Sequence, residues 1–164
     1  MLILGVDPGT ATTGFGLIRI PESGKRNPEL VDYGCIVTSK DSEMPQRLHL
    51  LQKELKKLLQ QHKPDVICVE QLVFGANART AMTVGQARGV VMATAAGQRV
   101  PFFEYQGLAV KLTIGGHGRA DKKQVERGVK KLLGIRKLKK PANGYMDDAV
   151  DAIAIALCHV LKQG

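Results

Sequence analysis

The chain has 164 residues, of which 44% are hydrophobic and 24% are charged. This length and balance suit a single globular domain spanning residues 1–164 and exclude a largely disordered chain. Its 24 Lys and Arg residues outnumber its 15 Asp and Glu residues and leave a net charge of +9. Such an excess favours a polyanionic partner such as a nucleic acid, although small basic proteins without that role also exist.

Cysteine usage and hydropathy point to the cellular compartment. Cys35, Cys68 and Cys158 lie far apart, so neither a zinc site nor a disulfide framework is predicted. Cys68 and Cys158 fall in apolar runs and are expected to be buried thiols. The sequence shows no signal peptide and no apolar run long enough to cross a bilayer. These features predict a reduced, cytoplasmic protein without a membrane anchor.

The chain opens with three predicted strands. Leu2–Asp7 is a continuous apolar run that ends in an acid and is followed by a Pro-Gly turn, which is typical of a strand buried on both faces. Further strands are predicted at Thr13–Ile20 and Leu30–Ser39. The opening is therefore expected to be an antiparallel meander.

Helices and strands alternate in the rest of the chain. A leucine stripe predicts a helix over Met44–His62, and Asp65–Glu70 is a second buried strand that ends in an acid. The remaining predicted elements are the helix Asn77–Gly97, the strand Val100–Tyr105 and the helices Gln106–Ile114, Asp121–Leu133 and Met146–Leu161. This order implies an α/β fold with a five-stranded mixed sheet and helices on both faces.

Four acidic residues form the candidate chemical centre. Asp7 and Glu70 end the two buried strands, and active sites of open α/β sheets collect beyond such strand ends. Asp148 and Asp151 are three residues apart near the start of the last helix and share one of its faces. Helix capping is the better explanation for Asp147 or Asp148 taken alone, but not for Asp151, which lies a turn inside the helix.

Four converging carboxylates would repel one another without a compensating cation. Two Mg²⁺ ions would carry the matching charge of +4, and Mg²⁺ prefers such oxygen ligands. Two such ions about 4 Å apart can clamp the attacking and leaving oxygens of a phosphodiester. Acid-held metal ions beside a basic surface therefore favour nuclease chemistry.

Four segments of the chain resemble the RuvC family of bacterial Holliday-junction resolvases: ILGVDPGTATTGFG, VEQLVFGANARTAMTVGQARG, VKLTIGGHGRADKKQV and DDAVDAIAIALCH. They cover nearly the whole chain in order, and only the loops Pro21–Pro28 and Gly134–Asn143 stand apart. The resemblance implies an RNase H-like fold, a homodimer and Mg²⁺-dependent paired nicking of four-way DNA junctions in recombination and repair. It also implies that Mn²⁺ can replace Mg²⁺ and that the RuvA-RuvB branch-migration complex is a partner.

The resemblance assigns roles to individual residues. It implies that the catalytic metal ligands are Asp7, Glu70, Asp148 and Asp151. The family spacing D-x-x-D-A selects Asp148 over Asp147, although Asp147 is four residues from Asp151 and faces the same side.

The resemblance also marks DNA-binding candidates. Lys111 and Lys122 are expected phosphate contacts, with Lys123 and Arg79 as further candidates. Lys122 starts a helix after a Gly-rich loop, where free amides favour anions, although a solvated helix face is the alternative for any single lysine. Phe74, in the loop after the second acidic strand, is the candidate for stacking at the junction, and packing onto the protein is the alternative.

The helix Asn77–Gly97 is the predicted dimer interface. Ala81, Gly85, Gly89 and Ala93 recur at every fourth position and form a ridge of very small side chains. Because each mid-helix glycine costs roughly 1 kcal/mol relative to alanine, the ridge suggests that something approaches closely. Spacing alone allows an element of the same chain as readily as a partner subunit, but the two-fold symmetry of a four-way junction favours the partner.

Two other functions fit parts of the sequence. A D-x-G-T pattern after a buried strand resembles the phosphate loop of actin-like and sugar-kinase phosphotransferases. Those proteins need two such domains and a second Gly-rich motif, which this sequence lacks. A non-catalytic junction-binding relative of the same fold is the other alternative, and the intact set of four acids argues against it.

Overall fold

The computed structural model describes residues 1–21, 27–71, 78–141 and 145–163, with residues 78–80 described by their backbone. Its strands are β1 (Leu2–Asp7), β2 (Thr12–Arg19), β3 (Glu29–Val37), β4 (Val66–Glu70) and β5 (Phe102–Tyr105). They form one sheet in the order β3-β2-β1-β4-β5. β2 is antiparallel to β1 and β3, whereas β4 is parallel to β1 and β5. The predicted mixed sheet with an antiparallel opening is confirmed.

Five helices cover the two faces of this sheet. They are α1 (Met44–His62), α2 (Ala78–Gly97), α3 (Gly107–Gly115), α4 (Lys122–Leu133) and α5 (Met146–Gln163). Residues of β1 alternate between the two cores, because successive strand side chains point to opposite faces. Leu4 and Val6 join the core made with α1 and α2, whereas Ile3 joins the core made with α3, α4 and α5. No helix of the described residues is long and apolar enough to cross a membrane.

Glycines in β1 and β2 allow α5 to lie directly on the sheet. A β-carbon built at Gly5 would overlap the backbone oxygen of Ala152, and one built at Gly14 would overlap that of Asp148. A β-carbon built at Gly16 would lie 2.6 Å from the side chain of Ile153 in the same helix. Any side chain at these positions would push α5 away from the strands. The glycines therefore allow the short distance between the sheet and the helix that carries two of the candidate acids.

Where they fall on described residues, the predicted element ends are correct to within one or two residues; Asn77, the predicted start of α2, lies outside the described residues. α5 is buried from Ala149 to His159 apart from Asp151, as its apolar sequence predicted. Cys68 and Cys158 are fully buried thiols. The strand predicted from Val100 begins two residues later, at Phe102.

The small-residue ridge of α2 is divided between two environments. Ala81 is buried within its own chain, Gly85 is half-buried, and Gly89 and Ala93 are exposed. A four-residue step turns an α-helix about 40° beyond a full turn, so the predicted ridge winds around the helix. The prediction that all four positions share one surface is therefore wrong for Ala81.

Candidate active site

The ends of β1 and β4 bring Asp7 and Glu70 to one edge and one face of the sheet. The two strands are parallel neighbours, so their carboxyl ends meet at the same edge. Ile3 of β1 and Cys68 of β4 both face the core that contains α5. Asp7 lies four residues after Ile3 and Glu70 lies two residues after Cys68, so the period of two directs both acids toward α5.

The first turns of α5 place two further acids beside this strand end. Gly14, which pairs with Asp7 across the sheet, lies against the backbone of Asp148. Asp148 and Asp151 are partly buried, whereas Asp147 is exposed. The same close approach that fixes α5 on the sheet therefore puts its acidic face next to Asp7.

Burial and mutual repulsion act on the protonation of all four acids. Burial, followed by the negative charges of Asp151, Glu70 and Asp148, raises the pKa of Asp7 from 3.8 to about 7. Burial and the charge of Asp151 raise the pKa of Glu70. Burial is also the main cause of the raised pKa values of Asp148 and Asp151. The four carboxyls therefore form one electrostatic cluster in which full ionisation is unfavourable without a cation.

Two lysines supply positive charge to the cluster. Lys111 and Lys122 line a cleft of about 450 Å³ together with Glu70 and Asp151. Lys122 partly offsets the burial that raises the pKa of Asp148 and of Asp151. Lys111 opposes the rise in the pKa of Glu70 that burial and Asp151 cause.

Asp147 and Asp148, the adjacent acids at the start of α5, have different neighbours. Asp148 is among the charges that act on Asp7. Asp147 instead forms an ion pair with Lys122, whose Nζ atom lies 3.0 Å from Oδ2 of Asp147. Both side chains of this pair are largely exposed, at 69% for Lys122 and 67% for Asp147.

The start of α4 is less available to anions than its Gly-rich approach suggested. Asp121 caps the helix, and its carboxylate accepts a hydrogen bond of 2.8 Å from the backbone N–H of Gln124. The side chain of Gln124 in turn accepts from the backbone N–H of Asp121. The backbone N–H groups of Asp121 and Gln124 are therefore already hydrogen-bonded within the chain and are not available to an anion.

Gly107 is a site residue that the sequence did not identify. A β-carbon built on it would overlap Oε1 of Glu70, so any larger residue there would require the Glu70 side chain to move. The sequence offered one hint of its role: a glycine begins the helix that follows β5, and β5 pairs with β4, the strand that ends in Glu70.

The other predicted DNA contacts have different outcomes. Lys123 is exposed on α4 and does not line the cleft. Phe74 and the side chain of Arg79 lie outside the described residues. Of the predicted lysines, the structure therefore brings only Lys111 and Lys122 to the acids.

The donor set of the site fits a hard divalent cation. Four carboxylates offer oxygen ligands, and their mutual repulsion is relieved by positive charge. Among the side chains that the structure describes, no three from His, Cys, Asp and Glu are arranged to hold a metal ion as they stand. The acids thus gather in one cluster without forming a finished ligand cage.

Comparison with protein families and curated sequences gives consistent matches. The family model described as crossover junction endodeoxyribonuclease RuvC matches residues 3–159. The crossover junction endodeoxyribonuclease RuvC of Syntrophomonas wolfei is 47% identical over 160 residues, covering 98% of this chain and 88% of that protein. The corresponding protein of Desulfitobacterium hafniense is 45% identical over 161 residues, covering 97% of this chain and 92% of its own.

Solved structures agree with this assignment. RuvC of Thermus thermophilus superposes with a TM-score of 0.85 at 28% identity, covering 99% of this chain and 95% of that one. T. thermophilus RuvC in complex with a Holliday junction substrate gives a TM-score of 0.87 at the same identity, covering 99% and 94%. With a family match over almost its whole length and close relatives of matching extent, the chain belongs to the RuvC family of crossover junction endodeoxyribonucleases.

Proposed function

We propose that this chain is an endodeoxyribonuclease that resolves four-way DNA junctions by two symmetric nicks, using two Mg²⁺ ions per subunit, with Mn²⁺ as a substitute. The observation that carries the proposal is the cluster of four acids at the ends of β1 and β4 and the start of α5. Lysines line the same cleft, so one surface can attract a phosphodiester and offer ligands to the metal ions that act on it.

Each acid has a role in this proposal. Asp7, Glu70, Asp148 and Asp151 would hold the metal ions. When bound, these ions would polarise the scissile phosphate and lower the pKa of the attacking water. Burial and the neighbouring negative charges raise the pKa of Asp7, so a cation that neutralises the cluster would bind favourably.

The basic groups have a separate role. Lys111 and Lys122 would hold the phosphate that enters the cleft, and Lys123 and Arg79 would contact neighbouring phosphates. Phe74 is proposed to stack on a base at the junction centre. Phosphate contacts account for most of the affinity of such interfaces, so acids and lysines should separate into groups that control rate and binding.

We further propose a homodimer built on the exposed face of α2. That face presents Met82, which is 68% exposed, with Gly89, Met92 and Ala93. A two-fold dimer would present two identical clefts to a two-fold symmetric junction. By resemblance to its family, the chain is also proposed to act in the cytoplasm with the RuvA-RuvB complex.

Substitution of the acids tests the proposed catalytic centre. Asp7→Asn, Glu70→Gln and Asp151→Asn should each lower the rate of junction cleavage in Mg²⁺ by at least about 100-fold, because each removes a metal ligand. Junction affinity measured in Ca²⁺ should stay within about threefold, because phosphate contacts carry it. Asp148→Asn should be more damaging than Asp147→Asn.

Controls separate this function from its alternatives. Linear duplex should be cut far more slowly than a four-way junction. A protein that binds the junction but never cuts it would be a non-catalytic relative, and Mg²⁺-dependent ATP turnover would instead indicate a phosphotransferase. Normal cutting by Asp7→Asn in Mg²⁺ would rule out the proposed ligand set.

A further inference from the structure

The ion pair between Lys122 and Asp147 joins two elements that frame the acid cluster. Lys122 is the first residue of α4, and Asp147 lies in the first turn of α5. Their charged atoms are 3.0 Å apart, yet both side chains are more than half exposed. Exposed pairs of this kind contribute at most about 1 kcal/mol to folding. An attraction of that size adds little to folding, but it is enough to bias the position of a flexible lysine side chain.

Lys122 has a second set of acids within electrostatic reach. Lys122 lines the cleft with Asp151, and its positive charge opposes the rise in the pKa of Asp148 and of Asp7. A lysine is a point charge on a flexible four-carbon stem, so it can turn toward either set. Asp147 is the exposed partner of the lysine, whereas Asp148 and Asp151 are partly buried.

The position of this ammonium decides how much negative charge remains for a metal ion. Inside the cleft it would neutralise one of the carboxylates and repel an incoming divalent cation. At the rim it leaves the carboxylate oxygens free while staying close enough to meet a phosphate. Asp147 adds the attraction that favours the rim.

We propose that Asp147 is a positioning residue that holds the Lys122 ammonium at the rim of the cleft, so that the lysine does not compete with divalent cations for Asp148 and Asp151. This inference rests on the proposed metal-dependent function and assigns a role to the acid that the ligand set leaves out.

A double-mutant cycle on metal binding tests the proposal without any cleavage assay. Binding of Mn²⁺ to the DNA-free protein is measured by electron paramagnetic resonance of the free ion, for the unmodified protein, Asp147→Asn, Lys122→Gln and the double variant. Asp147→Asn should raise the Kd for Mn²⁺ about three- to fivefold, because the released ammonium turns inward. In the Lys122→Gln background the same change should alter the Kd less than twofold.

Two further variants sharpen the cycle. Asp147→Glu keeps the charge within reach of Lys122 and should restore most of the affinity. Glu126→Gln removes a different acid that is paired with a lysine of α4, Lys130, with 2.6 Å between their charged atoms, and it does not line the cleft. This control should leave the Kd within twofold of the unmodified value. Circular dichroism melting curves confirm that every variant is folded.

The outcomes distinguish this inference from the function on which it rests. An equal loss of Mn²⁺ affinity on Asp147→Asn with and without Lys122 would overturn the positioning role and make Asp147 a ligand or a general source of charge. No loss in either background would overturn it as well. If the unmodified protein binds no Mn²⁺, or binds it equally well after Asp151→Asn, the proposed metal site fails and the positioning role fails with it.

Discussion

Gly107 leaves the space that the carboxylate of Glu70 occupies: a β-carbon at this position would overlap Oε1 of the acid. Gly107 opens α3, and Glu70 ends β4. The start of α3 therefore lies directly against the side chain of Glu70, a candidate metal ligand. A larger residue at this position would push the carboxylate elsewhere.

Substitution of Gly107 by alanine should move Glu70 without unfolding the protein. Alanine is a better helix former than glycine, so any harm must come from the overlap with the carboxylate. We expect cleavage at saturating junction to fall on the order of 10- to 100-fold, as for other misplaced catalytic groups. Junction affinity in Ca²⁺ should be unchanged.

Gly97→Ala is the matched control, because a β-carbon at that position has no atom within 4 Å in the part of the chain that the structure describes. It should cut at the normal rate. Full activity in Gly107→Ala, measured by single-turnover kinetics on the same junction, would show that Glu70 has room to adapt or is not required.

The strand-end acids could be predicted because their signals are local. A buried run ending in Asp7 and another ending in Glu70 are visible in the sequence, and the parallel pairing of β1 with β4 follows from the order of elements. Gly107 and Gly14 could not be identified in this way. Their importance depends on how closely a helix approaches a strand distant in the chain, and no periodicity encodes that distance.

The same limit explains the two adjacent acids of α5. Helical spacing puts Asp147 and Asp148 equally on the side of Asp151, so both remained candidates. The structure separates them through a residue of another helix, since Lys122 pairs with Asp147. For α2, spacing grouped Ala81 with Gly89, and only the structure distinguishes them, because Ala81 is buried and Gly89 is exposed.

The raised pKa of Asp7 predicts that the metal-free protein loses stability as the pH rises. The pKa is about 7 in the folded protein and 3.8 in the absence of its surroundings. The folded state therefore holds a proton that the unfolded state releases between these values, so the free energy of unfolding falls across that range and levels off above pH 7. In EDTA, urea unfolding should show a loss of up to about 2 kcal/mol between pH 5.5 and 8.0.

Two comparisons assign this loss to the acid cluster. Asp7→Asn should show a clearly smaller decrease between the same pH values, because the titrating group is gone. Millimolar Mg²⁺ should recover stability at pH 8.0, since an ion that binds only the folded state stabilises it. An identical pH profile for Asp7→Asn and the unmodified protein would contradict this explanation.

The basic segment after α4 is expected to bind DNA backbone away from the cleft. Arg136, Lys137, Lys139 and Lys140 are exposed, whereas Leu138 is buried and anchors the segment. The hydroxyl of Tyr33 also donates a 2.5 Å hydrogen bond to the backbone oxygen of Lys139. Leu138 and the hydrogen bond from Tyr33 therefore hold the segment against the protein while its four basic side chains are exposed to solvent.

Replacing these four residues with glutamine should weaken junction binding and reduce its salt dependence. Each lost phosphate contact lowers the slope of log K against log salt by about 0.9. Cleavage at saturating protein should be nearly unchanged. Lys53→Gln with Lys56→Gln, on exposed positions of α1 across the sheet, is the control, and an equal change of slope per charge there would mean that the segment has no specific role.

The last prediction concerns the proposed α2 interface. A β-carbon at Gly89 would meet no atom of the described residues within 4 Å, so this part of the chain has room for a larger side chain there. Gly89→Leu should therefore fold normally and yet separate the subunits, because a leucine would block close approach of a second helix. Light scattering should give the mass of a monomer, against a dimer for the unmodified protein.

Gln52→Leu adds the same side chain at an exposed position of α1 and should remain dimeric. Loss of the dimer should also uncouple the two cuts, since each monomer carries one cleft. Gly89→Leu would then release nicked junctions rather than paired duplex products. A mixed dimer with one Asp7→Asn subunit should likewise nick one strand only. A dimeric Gly89→Leu protein that still resolves junctions by paired cuts would exclude this face of α2 as the interface.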